Sequence, residues 1–88
     1  MYGEAGFERS QDCRVTVELR SDNGIIIDVH GVSKTMFGER ISVCVEEKLR
    51  ELEVTDAYVE IFDEGSLDFV ICARIKTAVN RARKEKKE

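Results

Sequence analysis

The chain has 88 residues, 42% apolar and 36% charged, which suits one small globular domain and excludes both a second core and a disordered chain. No apolar run approaches the roughly 18 residues of a membrane helix, and "MYGEAGFERS" lacks the apolar centre of a signal peptide, so the cytoplasm is the expected compartment. The net charge of −4 is uneven: residues 74–88 hold seven Lys or Arg against Glu85 and Glu88, and the acidic excess lies in the rest.

Residues 1–12 show no periodicity and contain Gly3 and Gly6, which predicts a flexible leader ahead of a single domain over 13–83. "CRVTVELR" then alternates, with Cys13, Val15, Val17 and Leu19 on one face and Arg14, Thr16, Glu18 and Arg20 on the other, as a half-buried strand does. "SDNG" at 21–24 predicts a hairpin into a second strand, "IIIDVH", with Ile25, Ile27 and Val29 inward.

The period next changes from two to 3.6. Phe37, Ile41, Cys44, Val45, Leu49 and Leu52 predict a helix over about 34–52, with Ser33 as its N-cap and Val32 against Phe37 as a hydrophobic staple. "DAYVEIFD" at 56–63 alternates again, and "EGS" breaks it. A last helix over about 67–83 carries Leu67, Val70, Ile71, Ile75, Ala78, Val79 and Ala82 on one stripe, and residues 84–88 form a charged, frayed tail.

The order β-β-α-β-α predicts an α+β fold: a two-layer sandwich, its three-stranded sheet covered by two helices on one face. A right-handed crossover is expected wherever the first helix joins parallel strands. The open sheet face would show Ile26, Tyr58 and Phe62 among charges, either as isolated side chains or as a docking patch.

Motifs for self-contained chemistry are missing. His30 has no nucleophile beside it in the pattern and reads as a surface histidine. Cys13, Cys44 and Cys72 form no CxxC pair and fit apolar positions, so small buried hydrophobes are expected rather than a disulfide framework or a zinc site. Asp63, Glu64 and Asp68 suit a helix start better than a catalytic dyad. Phosphate-binding and RNA-clamping glycine patterns are absent. The basic C-terminal helix suggests a protein- or nucleic-acid-binding module as one reading, and simple dipole complementarity as another.

Three stretches carry a resemblance. "DEGSLDFVICARIKTAVNRA" (63–82), "AGFERSQD" (5–12) and "KTMFGERI" (34–41) are similar, in this order, to the citrate lyase acyl carrier protein (gamma subunit) family. Ser66, in Gly65-Ser66-Leu67-Asp68, also looks like the arm-bearing serine of ordinary acyl carrier proteins. Aligned with the citrate lyase family, however, the serine carrying the prosthetic group falls on Ser10, in the leader, and Ser66 becomes an N-cap. Arg9 and Gln11 depart from the residues usual beside that serine, while Asp12 matches and would orient the leader, touch the attaching transferase or simply face water.

The resemblance implies a non-catalytic carrier subunit with 2'-(5''-phosphoribosyl)-3'-dephospho-CoA attached covalently to Ser10 by a prosthetic-group transferase. Acetyl and citryl thioesters on that arm would pass between the alpha (acyl transferase) and beta (lyase) subunits. It implies no metal site and no nucleic-acid or membrane partner. A citramalate-type lyase could use a nearly identical carrier.

Overall fold

Alternating apolar residues on the strands and i, i+4 apolar residues on the helices build one core between a four-stranded sheet and two helices. The structure is a computed structural model describing residues 1–8, 12–22, 24–31, 34–65 and 67–85, of which 34–39, 68 and 85 by backbone only. Its elements are β1 (Tyr2–Gly6), β2 (Cys13–Leu19), β3 (Ile25–Gly31), α1 (Lys34–Glu51), β4 (Ala57–Asp63) and α2 (Asp68–Glu85). The sheet order is β1-β2-β4-β3, with β1–β2 and β2–β4 antiparallel and β3–β4 parallel.

Val15, Val17, Val59 and Ile61 point from the central strands onto Ile41, Val45 and Leu49 of α1 and Ile71, Ile75 and Val79 of α2, all of them buried. Each such side chain removed from water contributes about 1.5–3 kcal/mol. Cys13 also belongs to this core. Helix α1 stops where Glu53 takes φ 59°, Val54 N–H bonds the Leu49 carbonyl, and Arg83 of α2 donates to the Leu52 carbonyl. These bonds occupy carbonyls that a helix end leaves without partners. Among the described residues, no helix is long and apolar enough to cross a membrane.

The α+β class and the two predicted helices hold, but the sheet has four strands, not three. The additional strand is β1, inside the stretch expected to be a flexible leader. Its inward positions are Gly3 and Ala5, so the alternation carries no apolar signal. Gly3 is required by close approach: a Cβ there would lie 1.9 Å from the Ala78 carbonyl oxygen and 2.6 Å from the Ala82 nitrogen. The backbone of β1 therefore runs against the backbone of α2. Arg81 of α2 also donates to the Glu4 carbonyl at 2.7 Å.

The hairpin expected at 21–24 is likewise corrected. β2 and β3 are not neighbours, because β4 lies between them and pairs with both. All the inward residues of β4 are buried, which fits the centre of the sheet, whereas β3 is only half-buried and forms an edge. The β2–β3 connection passes over the start of β4. There Arg20 N–H donates to the Asp56 carbonyl, Gly24 N–H to Asp56 Oδ1, and Ala57 N–H to the Gly24 carbonyl. Long-range bonding has replaced the local turn. Helix α2 runs through Glu85, into the segment expected to fray. The capping assigned to Val32 and Ser33 lies outside the described residues, as does the side chain of Phe37.

Gly3→Ala should destabilise the fold by about 3 kcal/mol, the upper range for overpacking, because backbone atoms oppose the new methyl. Gly24→Ala meets nothing within 4 Å but has φ +69°, so about 1 kcal/mol is expected from left-handed strain alone. Urea unfolding of both variants should give a much lower midpoint for the first than for the second.

Candidate functional site

The β1–β2 connection begins at Gly6, whose φ of +85° turns the chain out of the sheet; a Cβ there would fall 1.9 Å from the Cys13 carbonyl oxygen. Phe7 N–H donates to that carbonyl at 3.1 Å and closes the base of the connection. Glu8 follows, its carboxylate 3.3 Å from Arg14 Nη2. Ser10, the expected attachment residue, lies outside the described residues with Arg9 and Gln11. The described chain on either side, Phe7–Glu8 and Asp12–Cys13, is well tied to the sheet.

Asp12 does most of the tying. Only 6% exposed, it accepts the Cys13 N–H on Oδ1 at 2.7 Å. Arg74 grips both oxygens, with Nε 3.2 Å from Oδ1 and Nη2 2.9 Å from Oδ2. The Asp12 carbonyl accepts the Glu64 N–H at 2.9 Å. A two-point guanidinium–carboxylate bond fixes orientation as well as position. Of the roles sequence left open for Asp12, a plain solvated aspartate is excluded. Its partner lies 62 residues away, in the middle of α2. Both residues belong to the stretches that carried the family resemblance.

The Asp12–Glu64 bond brings the β4–α2 connection beside the β1–β2 connection. Ser66, expected as N-cap, also lies outside the described residues. After it, the Leu67 carbonyl accepts N–H bonds from Val70 and Ile71 and opens α2. At this end of the sheet Phe7, Leu67 and Phe69 are 58%, 64% and 70% exposed. Leu67 was expected on the buried stripe, but it precedes the helix and points to water. Phe7 and Phe69 had no sequence signal marking them as exposed.

On the open sheet face Tyr58 and Phe62 are partly covered by neighbouring side chains, whereas Tyr2 and Ile26 stay exposed. The Arg14 guanidinium lies 4.4 Å from the Phe62 ring centre, and the His30 ring stacks on Phe62 at 4.9 Å and 16°. Arg20 lies 5.1 Å from the Tyr58 ring. The Tyr58 hydroxyl donates to Asp28 Oδ2 at 2.7 Å. That hydrogen bond, helped by partial desolvation and the Asp28 and Glu60 charges, pushes the phenol up to about 12. His30 stacks on Phe62 near Glu60. Among the described residues no group of three or more His, Cys, Asp or Glu side chains could hold a metal ion.

The profile of an acyl carrier family described as malonate decarboxylase delta subunit (MdcD) matches residues 3–82. A citrate lyase acyl carrier protein of Fusobacterium nucleatum is 40% identical over 80 residues, covering 91% of this chain and 85% of the relative. Those of Clostridium perfringens and Streptococcus mutans are 44% and 41% identical over 78 residues, covering 89% of this chain and 77% and 76% of the relatives.

Two outcomes are expected. Arg74→Ala leaves the Asp12 carboxylate buried without its two-point partner and should lower stability by about 2–3 kcal/mol, measured by urea unfolding. Asp28→Asn should return Tyr58 ionisation from about 12 toward its ordinary value of 10, followed by tyrosinate absorbance. The sign follows from the raised value. The contribution of this bond is complete below about pH 10, disappears as pH rises through about 12, and should be missing from the variant.

Proposed function

Because the chain belongs to the acyl carrier family that the citrate lyase acyl carrier proteins share with the malonate decarboxylase delta subunit, we propose that it is the acyl carrier subunit of citrate lyase. The observation that carries this reading is identity of 40–44% to citrate lyase acyl carrier proteins over about nine-tenths of the chain. In this reading Ser10 bears 2'-(5''-phosphoribosyl)-3'-dephospho-CoA through a phosphodiester, installed by a prosthetic-group transferase. The chain works in the cytoplasm with the alpha and beta subunits and performs no catalysis alone. When attached, the group supplies a thiol on which acyl groups travel as thioesters.

The surroundings of Ser10 fit such a role. A carrier must present one hydroxyl to a modifying enzyme and hold the same point steady for two further active sites. Asp12 and Arg74 fix the chain two residues after Ser10, and the Phe7–Cys13 bond fixes it three residues before. Glu8, two residues earlier in the chain, is exposed. The exposed Phe7, Leu67 and Phe69 offer apolar contact to whichever partner approaches this end. Tethering at a fixed point raises the effective concentration of the carried acyl group at each partner.

A nucleic-acid-binding module is the poorer reading. Three of the cations at the basic end are engaged within the fold: Arg74 with Asp12, Arg81 with the Glu4 carbonyl, and Arg83 with the Leu52 carbonyl.

The test is intact mass after co-expression with the family's prosthetic-group transferase and its activated precursor, followed by peptide mapping. The expected addition is one phosphoribosyl-dephospho-CoA on the peptide containing Ser10, absent in Ser10→Ala and retained in Ser66→Ala. Addition that survives Ser10→Ala, or none with a transferase active on an established carrier, would overturn the assignment.

A further inference from the structure

Cys44 of α1 and Cys72 of α2 meet between the helices with their Sγ atoms 3.0 Å apart, and neither forms a disulfide. Sequence reasoning assigned both to small buried hydrophobes. Cys13 has that role, fully buried, but Cys44 and Cys72 are only partly covered. Neither thiol has a part in the carrier reading. We propose that this pair is an oxidisable dithiol, which two-electron oxidants of the peroxide class close into a disulfide fastening α1 to α2.

The placement follows from the helical period. Ile41, Val45 and Leu49 bring one face of α1 into the core, and Ile71, Ile75 and Val79 do the same for α2. Cys44 precedes Val45 and Cys72 follows Ile71, so each sits one step toward solvent from its buried stripe. The two steps face each other across the seam between the helices. A small oxidant can reach this seam, whereas Cys13 lies under the sheet's cover at 0% exposure.

The two helices are held together before reaction. Arg83 ties α2 to the Leu52 carbonyl just after α1, and both helices pack into one core. The sulfurs are thus held at high effective concentration. About 1 Å of closure separates them from the S–S distance of ~2.0 Å.

The chemistry balances within the pair and one peroxide. One thiolate attacks a peroxide oxygen, giving a sulfenic acid and hydroxide, which takes up the thiol proton as water. The second thiolate attacks the sulfenic sulfur; the S–S bond forms and the hydroxyl leaves as a second water. Two electrons pass from the sulfurs to the peroxide. The disulfide links positions 28 apart, which restricts the unfolded chain and should raise the melting temperature by about 10 °C.

The test treats the purified, reduced full chain with hydrogen peroxide, alkylates remaining thiols under denaturing conditions and maps the peptides. The expected product is a monomer lighter by two hydrogens, with Cys13 alkylated and the Cys44 and Cys72 peptides linked. It should melt about 10 °C higher, and dithiothreitol should reverse both changes. Cys44→Ser and Cys72→Ser should each abolish the linkage and the shift. Separate sulfinic acids on the two peptides, an intermolecular dimer, or linkage through Cys13 would overturn the proposal. None of these readouts involves the prosthetic group, so they stand or fall independently of the carrier assignment.

Discussion

The arrangement depends on one close approach, the backbone of β1 against the backbone of α2 at Gly3. With no Cβ at that position, the Ala78 carbonyl and Ala82 nitrogen come nearer than any side chain would permit. Ala5 on the strand and Ala78 and Ala82 on the helix keep the rest of the contact thin. Small residues on both surfaces exchange apolar area for proximity, so this contact is won by fit rather than by burial. It converts the first six residues from a tail into the outer strand of the sheet. That in turn makes the segment with Ser10 a connection held at both ends.

A swinging prosthetic arm is often pictured on a mobile anchor, and an unpatterned leader suits that picture. The described chain on either side of Ser10 is nonetheless tied to the domain. The chain before Ser10 is closed by Phe7 on Cys13, and the chain after it is gripped by Arg74 on Asp12. In the carrier reading, reach belongs to the arm, and the tied flanks confine the stretch from which it starts. That division makes physical sense: a fixed origin limits the volume the acyl group explores, whereas a loose one would dilute it.

Legibility in the sequence followed the range of the interactions. Helices α1 and α2 and strands β2 and β4 were readable because their apolar periods are local and strong, as in Val15, Val17, Val59 and Ile61. β1 was not, since Gly3 and Ala5 give no apolar alternation and their partner lies over 70 residues on. The turn at 21–24 looked like a hairpin because turn chemistry is local. Pairing with β4 was decided instead by which strand could bury its whole inner face. Asp12 was noticed only as a family match; nothing near it in sequence announces Arg74. Ser10 was singled out by resemblance alone, as serine chemistry leaves no periodic trace.

The same distinction separates Ser66 from Ser10. Judged by its immediate neighbours, Ser66 is the better serine, with an acidic residue, a glycine and a leucine around it at the mouth of a helix. Its setting belongs to carriers made wholly of helices, and here that helix packs on a sheet. The Asp12–Glu64 bond places the two connections side by side, so a modifying enzyme approaching this end would meet both. In the carrier reading, what distinguishes the β1–β2 connection is its described flanks, with Arg74 on Asp12 after Ser10 and the exposed Phe7 before it.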